Sequence, residues 1–147
     1  MSLINDRLKQ LNIVLPPAPA PAANYVPYVK SNKLIFVSGQ IPMLNGELVT
    51  GKIGKSIEIE DAKTAARLCG LAIVSQLNEA TDLDLDKINR IVKLGGFVNC
   101  IDEFTQQPEI INGASDLMVE VFGDKGKHSR FAVGTNSLPR NVVVEID

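Results

Sequence analysis

Arg130 and Glu145 are the two residues with the clearest chemical potential. They stand in the stretch GKHSRFAVGTNSLPRNVVVEID, at the start of one apolar run (His128–Asn136) and near the end of the next (Asn141–Asp147). Both runs read as β-strands, adjacent in the sheet and joined by the short turn NSLPR. Side chains alternate faces along a strand. His128, Arg130, Ala132 and Gly134 then share one face, and Phe131 and Val133 the other. Val142, Val144 and Ile146 complete a core face with Phe131 and Val133, which places Arg130 and Glu145 together on the opposite one. Ala132 and Gly134 leave room beside them. An arginine over such a floor grips a carboxylate through a fork of N–H donors. A nearby glutamate holds a water and moves protons. The plainer alternative is an ion pair between Arg130 and Glu145, which on a surface adds little stability. His128 either faces the same cleft, as a polar group or proton carrier, or is a partly exposed strand-end residue.

The rest of the chain has to position these groups. Residues 1–15 form an N-terminal helical extension, with Leu3, Ile4, Leu8 and Leu11 on one stripe and Ser2 as a candidate N-cap. Residues 16–24 are proline-rich, with four prolines between Pro16 and Pro21. They forbid helix and read as an extended connector rather than a ligand for a proline-recognition domain. YVPYVKSNKLIFVSGQIP reads as two short strands around KSNK, and Asn45-Gly46 marks a turn before a short strand at Glu47–Thr50. Ala62, Ala65, Ala66, Cys69, Ile73 and Leu77 follow helical spacing and predict a long helix. LDKINRIVKLGGFVNCID reads as a strand, in which Gly95-Gly96 suggests a bulge. Ile110, Ala114, Leu117, Met118, Val121 and Phe122 predict a second helix, ended by Gly123. This order implies an α+β domain, a mixed sheet with two helices packed on one face. An apolar outer face would then be covered by other subunits.

The bulk properties fit one soluble domain. The chain has 147 residues, 45% hydrophobic and 22% charged, with a net charge of −2. That balance argues against a general nucleic-acid surface, which needs a basic stripe. Cys69 and Cys100 read as buried free thiols, and two cysteines with one histidine cannot complete a four-ligand zinc site. No metal or organic cofactor is expected. No apolar run approaches membrane-spanning length, and the N-terminus lacks a secretory pattern, so a cytoplasmic protein is expected.

Three segments carry a family resemblance: APAANYVPYVK (20–30), LIFVSGQIP (34–42) and RFAVGTNSLPRNVVVEI (130–146). In this order, and with Arg130 eight residues before Leu138-Pro139, they resemble the RidA/YjgF family. These are enamine and imine deaminases once described as L-PSP endoribonucleases. The order of elements agrees with the family from about residue 18, the N-terminal helix being an extension relative to its shortest members, and residues 1–147 read as a single domain. The resemblance implies a chorismate-mutase-like fold, a homotrimer and a small-molecule carboxylate site between each pair of subunits. It also implies that Arg130 binds the carboxylate of a 2-imino or enamino acid such as 2-aminoacrylate, and that Glu145 positions the attacking water. Tyr28, Ser38 and Gly39 would line the cleft, and Ala132 would offer its backbone N–H. The chain departs from the familiar deaminases at GKHSRFAV. His128 stands two before the arginine, Phe131 follows it, and Ala132 occupies a position where the family often has cysteine. These departures place it in a divergent subgroup. Two other functions compete: a non-catalytic sensor of 2-oxo acids or related carboxylates, and, with less support, an endoribonuclease.

Overall fold

The computed structural model describes residues 2–147. Helix α1 (Leu3–Gln10) is followed by a hairpin of β1 (Tyr28–Ser31) and β2 (Leu34–Val37) and a smaller one of β3 (Met43–Leu44) and β4 (Glu47–Leu48). Then come α2 (Ile59–Ala80), β5 (Lys93–Asn99), α3 (Gln107–Phe122), β6 (Ser129–Thr135) and β7 (Val144–Ile146). Asn45 and Gly46 turn the small hairpin with φ of 53° and 84°, the left-handed pair that a tight two-residue turn needs. Gly123 ends α3 at φ 61°.

The N-terminal extension is docked on the domain. Ser2 caps α1 by accepting from the Asn5 N–H at 3.2 Å, and the Asp86 carboxylate accepts from the Leu3 and Ile4 amides at 2.8 and 2.9 Å. Those bonds, the Ile4 amide first, hold the Asp86 carboxyl below its ordinary range. Ile4 and Leu8 are buried. The proline-rich connector lies along α2, where Ser75 Oγ donates to the Pro16 carbonyl (2.8 Å) and Gln76 Nε2 to that of Pro19 (2.7 Å). Proline carbonyls keep their acceptor capacity although proline has no N–H.

The main sheet has the order β6-β5-β7 and is mixed: β5 runs parallel to β6 and antiparallel to β7. Gln40 and Ile146 exchange backbone hydrogen bonds of 2.8 and 3.0 Å, which fastens the chain leaving β2 to the outer edge of β7. Helices α2 and α3 pack together and against one face of the sheet, over Leu94, Val98, Val144 and Ile146. The two helices approach closely. A Cβ on Gly113 would overlap the Lys63 carbonyl oxygen, and one on Gly70 would lie 3.3 Å from Ala114 Cα. Glycine to alanine inside a helix ordinarily stabilises by about 1 kcal/mol. At Gly113 the sign reverses, because the overlap is with rigid backbone. Gly113→Ala is expected to lower the unfolding free energy by roughly 2–4 kcal/mol, read from urea denaturation.

Three sequence expectations change. First, β6 and β7 are not neighbours, because β5 lies between them. Second, the Gly95-Gly96 pair makes no bulge. Both residues keep regular register, opposite Phe131 and Ala132. They are small because space is short: a Cβ on Gly96 would meet the Ile111 side chain at 2.6 Å, and one on Gly95 the Phe131 ring at 2.7 Å. Third, Phe131 and Val133 do not face the helix-covered core. Directly paired residues share a face, so the register places Phe131 and Val133 beside Gly95 and Phe97 on the opposite, open face. The rings of Phe97 and Phe131 meet edge to face at 5.3 Å. Apolar side chains on this face stay uncovered within one subunit, Phe97 being 39% exposed and Val133 42%, and on the separate hairpin Phe36 of β2 is 58% exposed. Cys69 and Cys100 are buried free thiols. No helix among the described residues is long and apolar enough to cross a membrane.

Candidate functional site

The inserted strand β5 separates Arg130 from Glu145. Arg130 pairs with Leu94, and Glu145 pairs with Phe97. Leu94 and Phe97 are three residues apart on one strand and so point to opposite faces. Arg130 therefore lies on the helix-covered side of the edge strand β6, and Glu145 on the open side of β7. They share no face and form no ion pair with each other, which corrects both sequence readings of the pair.

On the helix side, half-buried Arg130 is held by α3. Its Nη1 donates to Asn112 Oδ1 at 2.8 Å and to Ser115 Oγ at 3.0 Å, and Nη2 reaches the Pro108 carbonyl at 3.5 Å. All three acceptors are neutral. No salt bridge involves Arg130 among the described residues. Its charge is thus oriented without being neutralised. His128 lies on the same network, with Nε2 3.0 Å from Ser115 Oγ and Nδ1 2.6 Å from the Gly126 carbonyl. Ala132, two residues on from Arg130, packs partly buried against the core. Sequence reasoning missed Asn112 and Ser115. Their one signal was their spacing of three on a predicted helix, which places two polar groups together on one flank.

On the open side, Glu145 borders a cavity of about 330 Å³ with Gly39, Phe97, Leu138 and Asp147. Gly39 is small for a local reason: a Cβ there would overlap Glu145 Oε1. Ser38 anchors this turn, donating from Oγ to the Val26 carbonyl (2.7 Å) and from its N–H to that of Pro27 (2.9 Å). Tyr28 starts β1 opposite Val37. Leu138 sits on the loop after β6, and Lys52 pins that loop. Its ammonium donates to the Asn136 carbonyl (2.6 Å), Asn99 Oδ1 (2.6 Å) and the Cys100 carbonyl (3.2 Å). The sequence-predicted residues thus form two groups: Arg130, His128 and Ala132 on one side of the sheet, and Glu145 with Gly39 on the other, near the hairpin that carries Ser38 and Tyr28.

Burial pushes the Glu145 carboxyl above its ordinary value, and the nearby Asp147 carboxylate adds to the effect. Both causes lie within one subunit. The raised value makes Glu145 a stronger base once ionised. It also links to stability. The unfolded chain releases this proton at about pH 4.3, and the folded chain only at higher pH. Between those points the folded state binds more protons, so stability falls as pH rises, and the loss is complete above the folded value. Glu145→Gln cannot ionise. Its melting temperature is expected to match wild type below that window and to exceed it at neutral pH, as thermal melts across pH would show.

A family model described as "YjgF/chorismate_mutase-like, putative endoribonuclease" matches residues 5–146. The chain belongs to the YjgF/RidA family. It is 47% identical over 142 residues to protein TCP17 of Trypanosoma cruzi, spanning 95% of this chain and 88% of that one. The crystal structure of Atu1372, a protein of unknown function from Agrobacterium tumefaciens, superposes with a TM-score of 0.90 at 48% identity, covering 98% of this chain and 89% of the other. Escherichia coli TdcF, solved with bound serine, superposes at 0.60 with 26% identity over 88% of each chain. The YjgF/RidA assignment and the α+β fold read from the sequence therefore hold, and the match includes the proline-rich connector and all but the first residues of α1.

Proposed function

We propose that this YjgF/RidA protein hydrolyses reactive 2-imino and enamino acids, such as 2-aminoacrylate, to 2-oxo acids and ammonia. The observation that carries this reading is the state of Arg130, an arginine oriented by neutral acceptors and left without an acidic partner. Such a cation is suited to an anionic ligand with a planar carboxylate. Serine in the solved TdcF relative, itself an amino acid with a carboxylate, supports the same ligand class. The enamine first tautomerises to the imine. Water then adds to the imine carbon, giving one proton to Glu145, which passes it on to the nitrogen so that the adduct carries a hydroxyl and an amine. In the collapse of this adduct the hydroxyl proton passes through Glu145 to the amine nitrogen, the C–N bond breaks, and ammonia departs, leaving the 2-oxo acid and an ionised Glu145. Positioning accounts for much of the effect, because the imine is intrinsically electrophilic.

Opposite-face placement supports a site assembled between subunits. One subunit cannot bring its own Arg130 to its own Glu145. The exposed Phe36, Phe97 and Val133 need covering, and a second copy of the chain supplies that cover. In the homotrimer that the resemblance implies, each cleft takes Arg130 from one subunit and the Gly39–Glu145 cavity from the next. Tyr28 and Ser38 enter with Gly39, and the Ala132 N–H with Arg130. A cytoplasmic compartment goes with this reading. The test is release of 2-oxo acid from freshly generated imino acids of serine-like, leucine-like and aromatic type. Turnover of one or more is the expected result. An intact oligomer that turns over none of them would remove the reaction.

A further inference from the structure

We infer that Ser115 and His128 are positioning residues for Arg130, and that they commit it to grip a carboxylate side-on, through Nε and Nη2. This rests on the carboxylate role proposed above for Arg130. The network begins at Gly126, its far end. The Gly126 carbonyl can only accept, so His128 Nδ1, 2.6 Å away, carries a proton. In the neutral ring Nε2 is then an acceptor. Its partner at 3.0 Å, Ser115 Oγ, must donate to it. The Ser115 hydroxyl proton is thereby fixed on the histidine, and the oxygen lone pairs turn to Arg130 Nη1 at 3.0 Å. Without His128 the same hydroxyl would be free to rotate and present its proton to the guanidinium.

The far end is itself fixed. Gly126 lies against α3 so closely that a Cβ would overlap the Met118 carbonyl oxygen. The near end is saturated. Nη1 has two N–H groups, and Ser115 and Asn112 Oδ1 (2.8 Å) take both. Nη2 has only the long 3.5 Å approach to Pro108, and Nε makes no hydrogen bond among the described residues. The edge of the guanidinium formed by Nε and Nη2 is therefore the one left for a ligand, and it offers two parallel donors. Sequence order hides this arrangement, since Ser115 lies on α3 and His128 just before β6, and they meet only because the Gly126 turn folds back on α3.

The test uses the intact protein, labelled with ¹⁵N, and 2-oxobutanoate as a stable carboxylate probe. His128 is the only histidine in the chain, so its ring resonances need no assignment. The ligand-free ring is expected to be the Nδ1–H tautomer. Titration with 2-oxobutanoate is expected to shift the Arg130 Nε–H resonance. Ser115→Ala is expected to weaken 2-oxobutanoate binding about tenfold, the loss of one hydrogen bond to a charged group, and Ser115→Thr to restore it. In turnover the same loss appears in KM and leaves kcat close to wild type. An Nε2–H tautomer in the free protein overturns the inference. So does an Nε–H resonance that 2-oxobutanoate leaves in place, or binding unchanged in Ser115→Ala. A protein that shows all the expected responses yet releases no ammonia from any imino acid retains this network and loses the deaminase reading.

Discussion

Arg130→Ala is expected to slow 2-oxo acid release from imino acids by about a hundredfold or more, the loss of a two-point charged grip on the substrate. The fold should survive. Arg130 is only half-buried, and its partners Asn112 and Ser115 are half-buried neutral groups that water can satisfy when the guanidinium is gone. The expected stability change is about 1 kcal/mol or less. Arg130→Lys should recover little of the rate. A lysine ammonium is a single point charge and cannot meet Asn112, Ser115 and both carboxylate oxygens at once. The measurement is steady-state release of 2-oxo acid alongside a thermal melt. Full activity in Arg130→Ala would remove the carboxylate grip from the mechanism. Lost activity with a collapsed melt would mean that the arginine holds the fold together instead.

The parts of this protein that were legible in the sequence are those whose signal is local. Ala62 to Leu77 and Ile110 to Phe122 show their helical faces by spacing alone, and both helices form. Asn45-Gly46 marks its turn, Gly123 its helix end, and the prolines their extended connector, because each is a property of one or two residues. The relation of β6 to β7 is not local. NSLPR looks like a hairpin turn, and Pro139–Asn141 does make a short 3₁₀ turn there. Yet β5, separated from β6 by the whole of α3, inserts between the two strands. The parallel β5–β6 pair joined through α3 is the βαβ unit that alternating strand and helix patterns point to. Once β5 is placed, the faces follow from its registers and not from the alternation within β6 and β7 taken singly. That one insertion moved Arg130 away from Glu145 and sent Phe131 and Val133 to the open face. The resemblance to the family named Arg130 and Glu145 without regard to topology. Asn112 and Ser115 escaped, because nothing in a helix sequence says which strand residue will reach it.

The separation of Arg130 and Glu145 leads to the most distinctive expected result. Arg130→Ala and Glu145→Gln should each be inactive when assembled alone, and a mixture of the two should regain activity. Every cleft of the proposed trimer needs one intact arginine and one intact glutamate from different subunits. In Arg130→Ala chains Glu145 and its Gly39 cavity remain, and in Glu145→Gln chains Arg130 and its α3 clamp remain. When the two are unfolded together at equal amounts and refolded, random assembly pairs a good arginine face with a good glutamate face in about a quarter of the clefts. Recovery of about that share of wild-type turnover is expected. Mixing the folded variants without exchange should recover none at first, and activity should then grow at the rate of subunit exchange. A site built within one chain predicts the contrary, because no mixed assembly could place both intact residues in one subunit. Refolded mixtures that stay inactive, while wild type refolded in the same way is active, would therefore return both residues to a single subunit. That would require β6 and β7 to move relative to β5, which the continuous ladders Lys93–Asn99 with Ser129–Thr135 and Gly96–Val98 with Val144–Ile146 oppose.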